Sequence, residues 1–189
     1  MPLKEVPSFV SRLRQFVSDL ANLHVPTIAA LDGIALGGGL EVALGCDIRV
    51  ASTSARLGLP EVKLAIFPGA GGTQRLTRII GIARAKELIF TGRILSATDA
   101  ERIGLVNCVA NEEITSAYQV SLDMASLILK GGPCAIKLAK SVINEGAEMT
   151  LPESLEVERK GYAEVLKTED RNEGLKAFSE KRPPVYCGR

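Results

Sequence analysis

The chain has no tryptophan, one histidine, and only three tyrosines and five phenylalanines among 189 residues. Surfaces that stack single-stranded bases are built on aromatic side chains, so this scarcity argues against one. His24 and four scattered cysteines (Cys46, Cys108, Cys134 and Cys187) make no C-x-x-C pair, and metal is not expected. Widely spaced cysteines fit free thiols in a reducing compartment. Neither charge sign dominates: 23 Lys and Arg face 22 Asp and Glu, for a net charge of +1. Nothing global therefore draws the chain to nucleic acid or to a membrane. No apolar run reaches bilayer-spanning length. Met1-Pro2-Leu3-Lys4-Glu5 reads neither as a signal peptide nor as an Arg/Ser-rich transit peptide.

What is present is an ordinary globular composition, 46% hydrophobic and 24% charged. A domain of this size buries roughly 70% of its unfolded surface. Residues 8–23 carry helical spacing, with Phe9, Leu13, Phe16, Val17, Leu20 and Leu23 on one stripe. Pro26 to Leu31 reads as a short buried strand ended by Asp32-Gly33, and Ile48 to Ala51 as a second. A short helix is expected from about Gly39 to Gly45. Segment 69–93 opens on glycines, turns helical near Thr73, is interrupted at Gly81 and ends at Gly92. Thr98 and Glu101 have capping-box spacing, and Gly104 closes that helix. Leu105 to Val109 reads as a strand. Helices are expected over about 112–130, 134–145, 152–167 and 169–181, with Pro183-Pro184 as the stop. Strands alternating with helices, then helices alone, predict an α/β domain with a helical C-terminal part.

Two glutamates stand beside glycine clusters. Glu41 follows Gly37-Gly38-Gly39-Leu40, and Glu61 precedes Pro68-Gly69-Ala70-Gly71-Gly72. Glycines admit close approach to the backbone, and a helix starting there points free N–H groups outward. Amide donors beside a pair of acid/base groups suit chemistry on a carbonyl whose oxygen becomes anionic. The bland readings are a dipole-favoured glutamate in a first helical turn and an exposed turn at Pro60-Glu61-Val62-Lys63. Leu40, Val42, Ala43 and Leu44 make the first helix apolar nearly all round, so Glu41 is a carboxylate where burial is costly. The glycine runs match neither G-x-G-x-x-G nor the phosphate-binding loop with its lysine. His24 has no triad motif around it. Arg75, Arg78, Arg84, Lys86 and Arg93 form either a solvated helix face, offset by Glu87 and Asp99, or a site for a polyanion.

The run Pro26-Thr27-Ile28-Ala29-Ala30-Leu31-Asp32-Gly33-Ile34-Ala35-Leu36-Gly37-Gly38-Gly39-Leu40-Glu41 resembles the signature of the enoyl-CoA hydratase/isomerase (crotonase) family. So do Ala43 to Arg49, Pro68 to Leu76, Ala85 to Arg93, and the end from Asp170-Arg171 through Pro184. Within the family the likeness is greatest to the AU-rich-RNA-binding methylglutaconyl-CoA hydratase group and its mitochondrial relatives. The resemblance implies a ClpP/crotonase-like ββα spiral core over 1–130 and a helical trimerisation region over 131–189. It implies an acyl-CoA substrate, no cofactor beyond the coenzyme A of that substrate, a homotrimer or a dimer of trimers, and the mitochondrial matrix. By position, Gly38 offers its N–H to the thioester oxygen, Glu41 helps activate a water, and Glu61 gives the α-carbon its proton. Gly37 and Gly69 lie beside the substrate, and Phe178 and Lys181 match positions that touch the CoA of an adjacent subunit. Both glutamates together favour a hydratase over an isomerase.

Family members carry a substantial portion ahead of the helix at 8–23, with the first core strands and the loop that gives a second oxyanion-hole N–H. The resemblance therefore implies an N-terminally truncated domain, any transit peptide being lost with the missing segment. Two other functions stay open: a catalytically impaired subunit partner for full-length relatives, and an RNA-binding protein using Arg12, Arg14 and the 75–93 stretch.

Overall fold

A computed structural model describes residues 2–111 and 115–189. The chain divides into two compact units, Met1–Leu23 with Thr27–Asp123 and His24–Pro26 with Met124–Arg189. In the first unit, helix α1 (Val6–Ala21) precedes a ββα repeat. Strand β1 (Ile28–Leu31), strand β2 (Ile34–Leu36) and helix α2 (Gly38–Ala43) make one copy. Strand β3 (Ile48–Ser52), strand β4 (Arg56–Gly58) and helix α3 (Gly72–Ile80) make the next, with a 3-10 turn at Glu61–Leu64 ahead of the helix. The copies stack in register: β1 pairs parallel with β3 (Ile28 opposite Ile48), and β2 pairs parallel with β4 (Ile34 opposite Arg56). Helix α4 (Ile82–Thr91) then leads to β5 (Leu95–Ser96), antiparallel to β4. Helix α5 (Ala97–Arg102) leads to β6 (Cys108–Ala110), parallel to β3. The result is two three-stranded sheets, β1-β3-β6 and β2-β4-β5, the α/β spiral that the sequence leads one to expect.

Side-chain chemistry fixes the strand starts. Asp47 Oδ2 accepts from Thr27 N (2.7 Å) and Thr27 Oγ1 (3.0 Å), which pins β3 beside β1. The core is leucine-rich: Leu40, Leu57, Leu59, Leu76, Leu95 and Leu105 are fully buried. Each contributes about 1.5–3 kcal/mol relative to exposure. Buried Arg49 donates to Leu105 O (Nε, 2.8 Å) and Cys46 O (Nη1, 2.8 Å), so its charge is met by carbonyl dipoles just past α2.

Three expectations change. The face of α1 that packs is Val10, Leu13 and Val17, whereas Phe9, Phe16 and Leu23 are exposed. Ser96, not Thr98, caps α5: its extended backbone precedes the helix and its Oγ accepts from Asp99 N at 3.1 Å. Glu101 instead accepts from Val109 N at 3.1 Å. Leu105 and Val106 lie in the buried turn before β6.

In the second unit, the end of α6 (Ala117–Ile128) leads to α7 (Pro133–Gly146), α8 (Leu151–Val165) and α9 (Glu169–Ser179). The first residues of the helix expected over 112–130, numbers 112–114, lie outside the described residues. Helices α7 and α8 form a hairpin in close contact, Gly161 lying against Val142 and Gly146 against Ser154. The last residues fold back on α9. Arg182 grips Glu173 with two bonds (2.6 and 3.0 Å), and Cys187 N donates to buried Asp170 at 2.7 Å. The Arg182 guanidinium holds the Glu173 carboxyl down at about 2.

The apolar face of α1 lies on three glycines of the first unit. A Cβ on Gly45 would stand 2.8 Å from Val17 Cγ1 and 3.1 Å from the carbonyls of Val17 and Val42. One on Gly69 would stand 2.9 Å from Val10 Cγ1, and one on Gly38 would meet Leu13 Cδ2 at ordinary contact distance (3.8 Å). Val17 is fully buried and β-branched, so it has little freedom to yield. We predict that Gly45→Ala costs about 1–3 kcal/mol, read by denaturant unfolding. Val17→Ala should cost less in the Gly45→Ala background than in the wild type. Equal costs in both backgrounds would contradict the contact.

Candidate active site

Glu41 sits one turn into α2, 3% exposed, within a helix that otherwise buries Leu40 and Ala43. Its Oε1 accepts from Ala70 N at 2.8 Å and Gly72 N at 2.7 Å. These amides belong to the glycine-rich turn that opens α3, so the carboxylate of one ββα copy is held by the backbone of the next. Among the described residues its Oε2 accepts no hydrogen bond. The turn approaches so closely because Gly72 lacks a side chain: a Cβ there would be 2.9 Å from Oε1 and 3.0 Å from Leu59 Cδ1.

Glu61 opens the 3-10 turn and is half-buried. Its Oε1 lies beside Gly37, 3.3 Å from where a Cβ would stand. Its Oε2 is buried with no hydrogen-bond partner among the described residues. An orphaned buried carboxylate oxygen is rare, because it forfeits the hydration that would stabilise its charge. Burial pushes the Glu61 carboxyl up, and the neighbouring Glu41 charge adds to the rise. Gly37 caps α2 with φ +54° and ψ −126°, a region only glycine adopts without strain. That corner places Gly38 as the first residue of α2, where an amide N–H has no partner in its own helix.

Gly37, Gly38, Glu41, Glu61 and Gly69 thus gather in the first unit around the start of α2. Phe178 (85% exposed) and Lys181 belong to the second unit, at and just past the end of α9. The basic stretch does not make one face. Arg75 turns inward to Ala70 O and Ser18 Oγ (both 3.3 Å), Arg78 donates to Gln74 O, and Arg93 pairs with Glu87 at 3.1 Å. Arg14, off the apolar stripe of α1, is one of the residues considered above for RNA. It instead donates twice to Gly69 O, from Nε at 3.1 Å and Nη2 at 2.9 Å. A basic residue on α1, 55 positions from its partner, gives no local sign of that contact.

With this geometry in view, the comparisons with known proteins decide the family. The enoyl-CoA hydratase/isomerase family model matches residues 5–189. The chain belongs to the enoyl-CoA hydratase/isomerase family. It is 55% identical over its whole length to the mitochondrial methylglutaconyl-CoA hydratase of Rattus norvegicus, and covers 60% of that protein. It is 51% identical over 98% of its length to the mitochondrial enoyl-CoA hydratase domain-containing protein 2 of Homo sapiens, covering 64%. Among solved structures, the enoyl-CoA hydratase from Bacillus anthracis superposes with a TM-score of 0.97 at 47% identity, over the whole chain and 72% of that protein. The chain therefore has the crotonase fold of this family, and it spans about 60% of the length of these curated relatives.

The unsatisfied Glu61 carries a stability signature. A carboxyl whose folded pKa is raised costs nothing below the ordinary glutamate range, destabilises the fold progressively as pH rises from the ordinary value to the shifted one, and costs a constant amount above that. Glu61→Gln should therefore match the wild type in Tm near pH 4, exceed it by a margin that opens above the ordinary glutamate range, and keep that margin constant once Glu61 is ionised in the fold. A gap independent of pH would show that Glu61 is solvated.

Proposed function

We propose that the chain is an enoyl-CoA hydratase, a carbon–oxygen lyase that adds water across the 2,3 double bond of an acyl-CoA thioester. The observation that carries this reading is the contrast between the two carboxylates: Glu41 has one oxygen held by two amides, and Glu61 has one buried oxygen with no partner. A water between them accepts direction from Glu41 Oε2 and Glu61. The Gly38 N–H meets the thioester oxygen as negative charge builds there. The water oxygen bonds to the β-carbon while Glu41 takes up the water's proton. Glu61, whose raised pKa favours holding a proton, protonates the α-carbon. Gly37 and Gly69 leave room for the acyl group, and Phe178 and Lys181 meet the coenzyme A of a neighbouring copy.

Methylglutaconyl-CoA is the substrate suggested by the name of the Rattus norvegicus relative, and the mitochondrial names of both mammalian relatives suggest the matrix. Association with further copies, as a trimer or a dimer of trimers by family likeness, would cover the apolar side chains exposed along α8 and at its C-cap, namely Leu151, Leu155, Tyr162 and Leu166.

Hydration removes the ultraviolet absorbance of the conjugated thioester, so a short 2-enoyl-CoA reports turnover directly. Glu41→Gln and Glu61→Gln should each lower kcat by about 10²–10⁴ with folding retained. Full activity in either variant would remove that residue from the chemistry. An inert, folded wild type would reject the hydratase reading.

A further inference from the structure

Glu41 is held at one oxygen by two amides, and what holds the amides becomes the question. The Ala70 N–H and the Gly69 carbonyl belong to one peptide unit. In a trans peptide these groups point in opposite directions and share delocalised electrons. On its carbonyl side the Gly69–Ala70 unit takes two N–H bonds from Arg14, at 3.1 and 2.9 Å. On its amide side it donates to Glu41 Oε1 at 2.8 Å. A guanidinium and a carboxylate are thus joined through a single peptide plane, charge to dipole to charge.

We propose that Arg14 is a positioning residue for Glu41, acting through the Gly69–Ala70 peptide; the inference rests on the hydratase reading. Three features favour this over a generic surface contact. The two-donor fork fixes the direction of the carbonyl as well as its distance, which a single donor would not do. Val10, one helical turn before Arg14 on α1, packs on Gly69 itself, so α1 clamps this peptide from two side chains. Arg75 offers the contrast: it donates to Ala70 O, whose peptide carries the Gly71 N–H, and Glu41 takes no bond from that amide. Arg75 meets Glu41 only as a neighbouring charge, whereas Arg14 bonds the peptide that donates to the carboxylate. The polarised peptide makes its N–H a better donor and holds Oε1 in one place, so Oε2 keeps its aim at the water. Catalytic geometry is steep in such displacements, and a shift of about 1 Å costs on the order of 10²-fold.

The test combines kinetics with one amide. Arg14→Met in the full chain should lower kcat for a short 2-enoyl-CoA about 10- to 100-fold, with KM within about twofold. Arg14→Lys, which keeps one charged donor, should recover part of the loss. Hydrogen exchange at the Ala70 amide, followed by NMR, should quicken at least tenfold in Arg14→Met while Leu88 and Ile89 in α4 are unchanged. A purely stabilising role would quicken exchange across the unit and give Arg14→Met and Arg14→Lys no consistent order in kcat. The proposal alone is overturned if the wild type turns over and Arg14→Met matches it in kcat, or if Ala70 exchange does not change. A wild type that folds but shows no turnover overturns the hydratase reading and the catalytic role of Arg14 with it.

Discussion

The arrangement of the first unit depends on two hydrogen bonds, from Ala70 N and Gly72 N to one oxygen of Glu41. Without them a carboxylate only 3% exposed would lie beside Leu59 with nothing to replace its hydration, a cost on the order of several kcal/mol. With them, helix α2 of one ββα copy is tied to the start of α3 in the next. The bonds reach from chemistry into topology: the glycine-rich turn must come close enough to donate, and it comes close only because Gly72 has no side chain. A buried carboxylate in an apolar helix is in this way both the reason for the turn and the group the turn serves.

Helix α1 supplies the second constraint. Its Val10 and Val17 occupy the space that side chains at Gly69 and Gly45 would fill, and Leu13 stands over Gly38. Close packing of this kind transmits displacement, because protein interiors have little free volume to absorb it. The helix therefore braces both edges of the site, α2 through Gly38 and Gly45 and the donor turn through Gly69. Glycines that look on paper like room for a ligand are in part room for a neighbouring helix.

Much of this was legible in the residues. The helices over 69–93 and 133–179 follow their glycine, proline and periodicity signals closely, and Glu41 announced itself as a charge in an apolar helix. Strands β2, β4 and β5 gave no signal: they are two or three residues long, and Ile34-Ala35-Leu36 sits between glycines as a loop would. Partners in a neighbouring sheet make them strands, and no local pattern encodes that pairing. Helical spacing placed Leu13 and Val17 on the packed face of α1 correctly but added Phe9 and Phe16, which are exposed, and left out Val10, which packs on Gly69. The site residues Gly37, Gly38 and Gly69 were named through family likeness. Their steric surroundings required coordinates.

The two carboxylates differ in a way that bears on how one fold holds an acid and a base together. Glu41 was given its donors by the backbone, which are fixed in number and direction and cost no side-chain entropy to arrange. Glu61 is less well served: it is half-buried, one oxygen is buried without a partner among the described residues, and burial together with the Glu41 charge moves its carboxyl upward against the pull of its own backbone amide. An unpartnered group of this kind destabilises a fold, so its retention at the mouth of a helix N-terminus calls for a compensating use. The proton delivery proposed for Glu61 would supply one, because a carboxyl with a raised pKa keeps more of its proton available for transfer to carbon. The asymmetry in hydrogen bonding between two chemically identical side chains is the physical basis on which the two roles proposed for them rest.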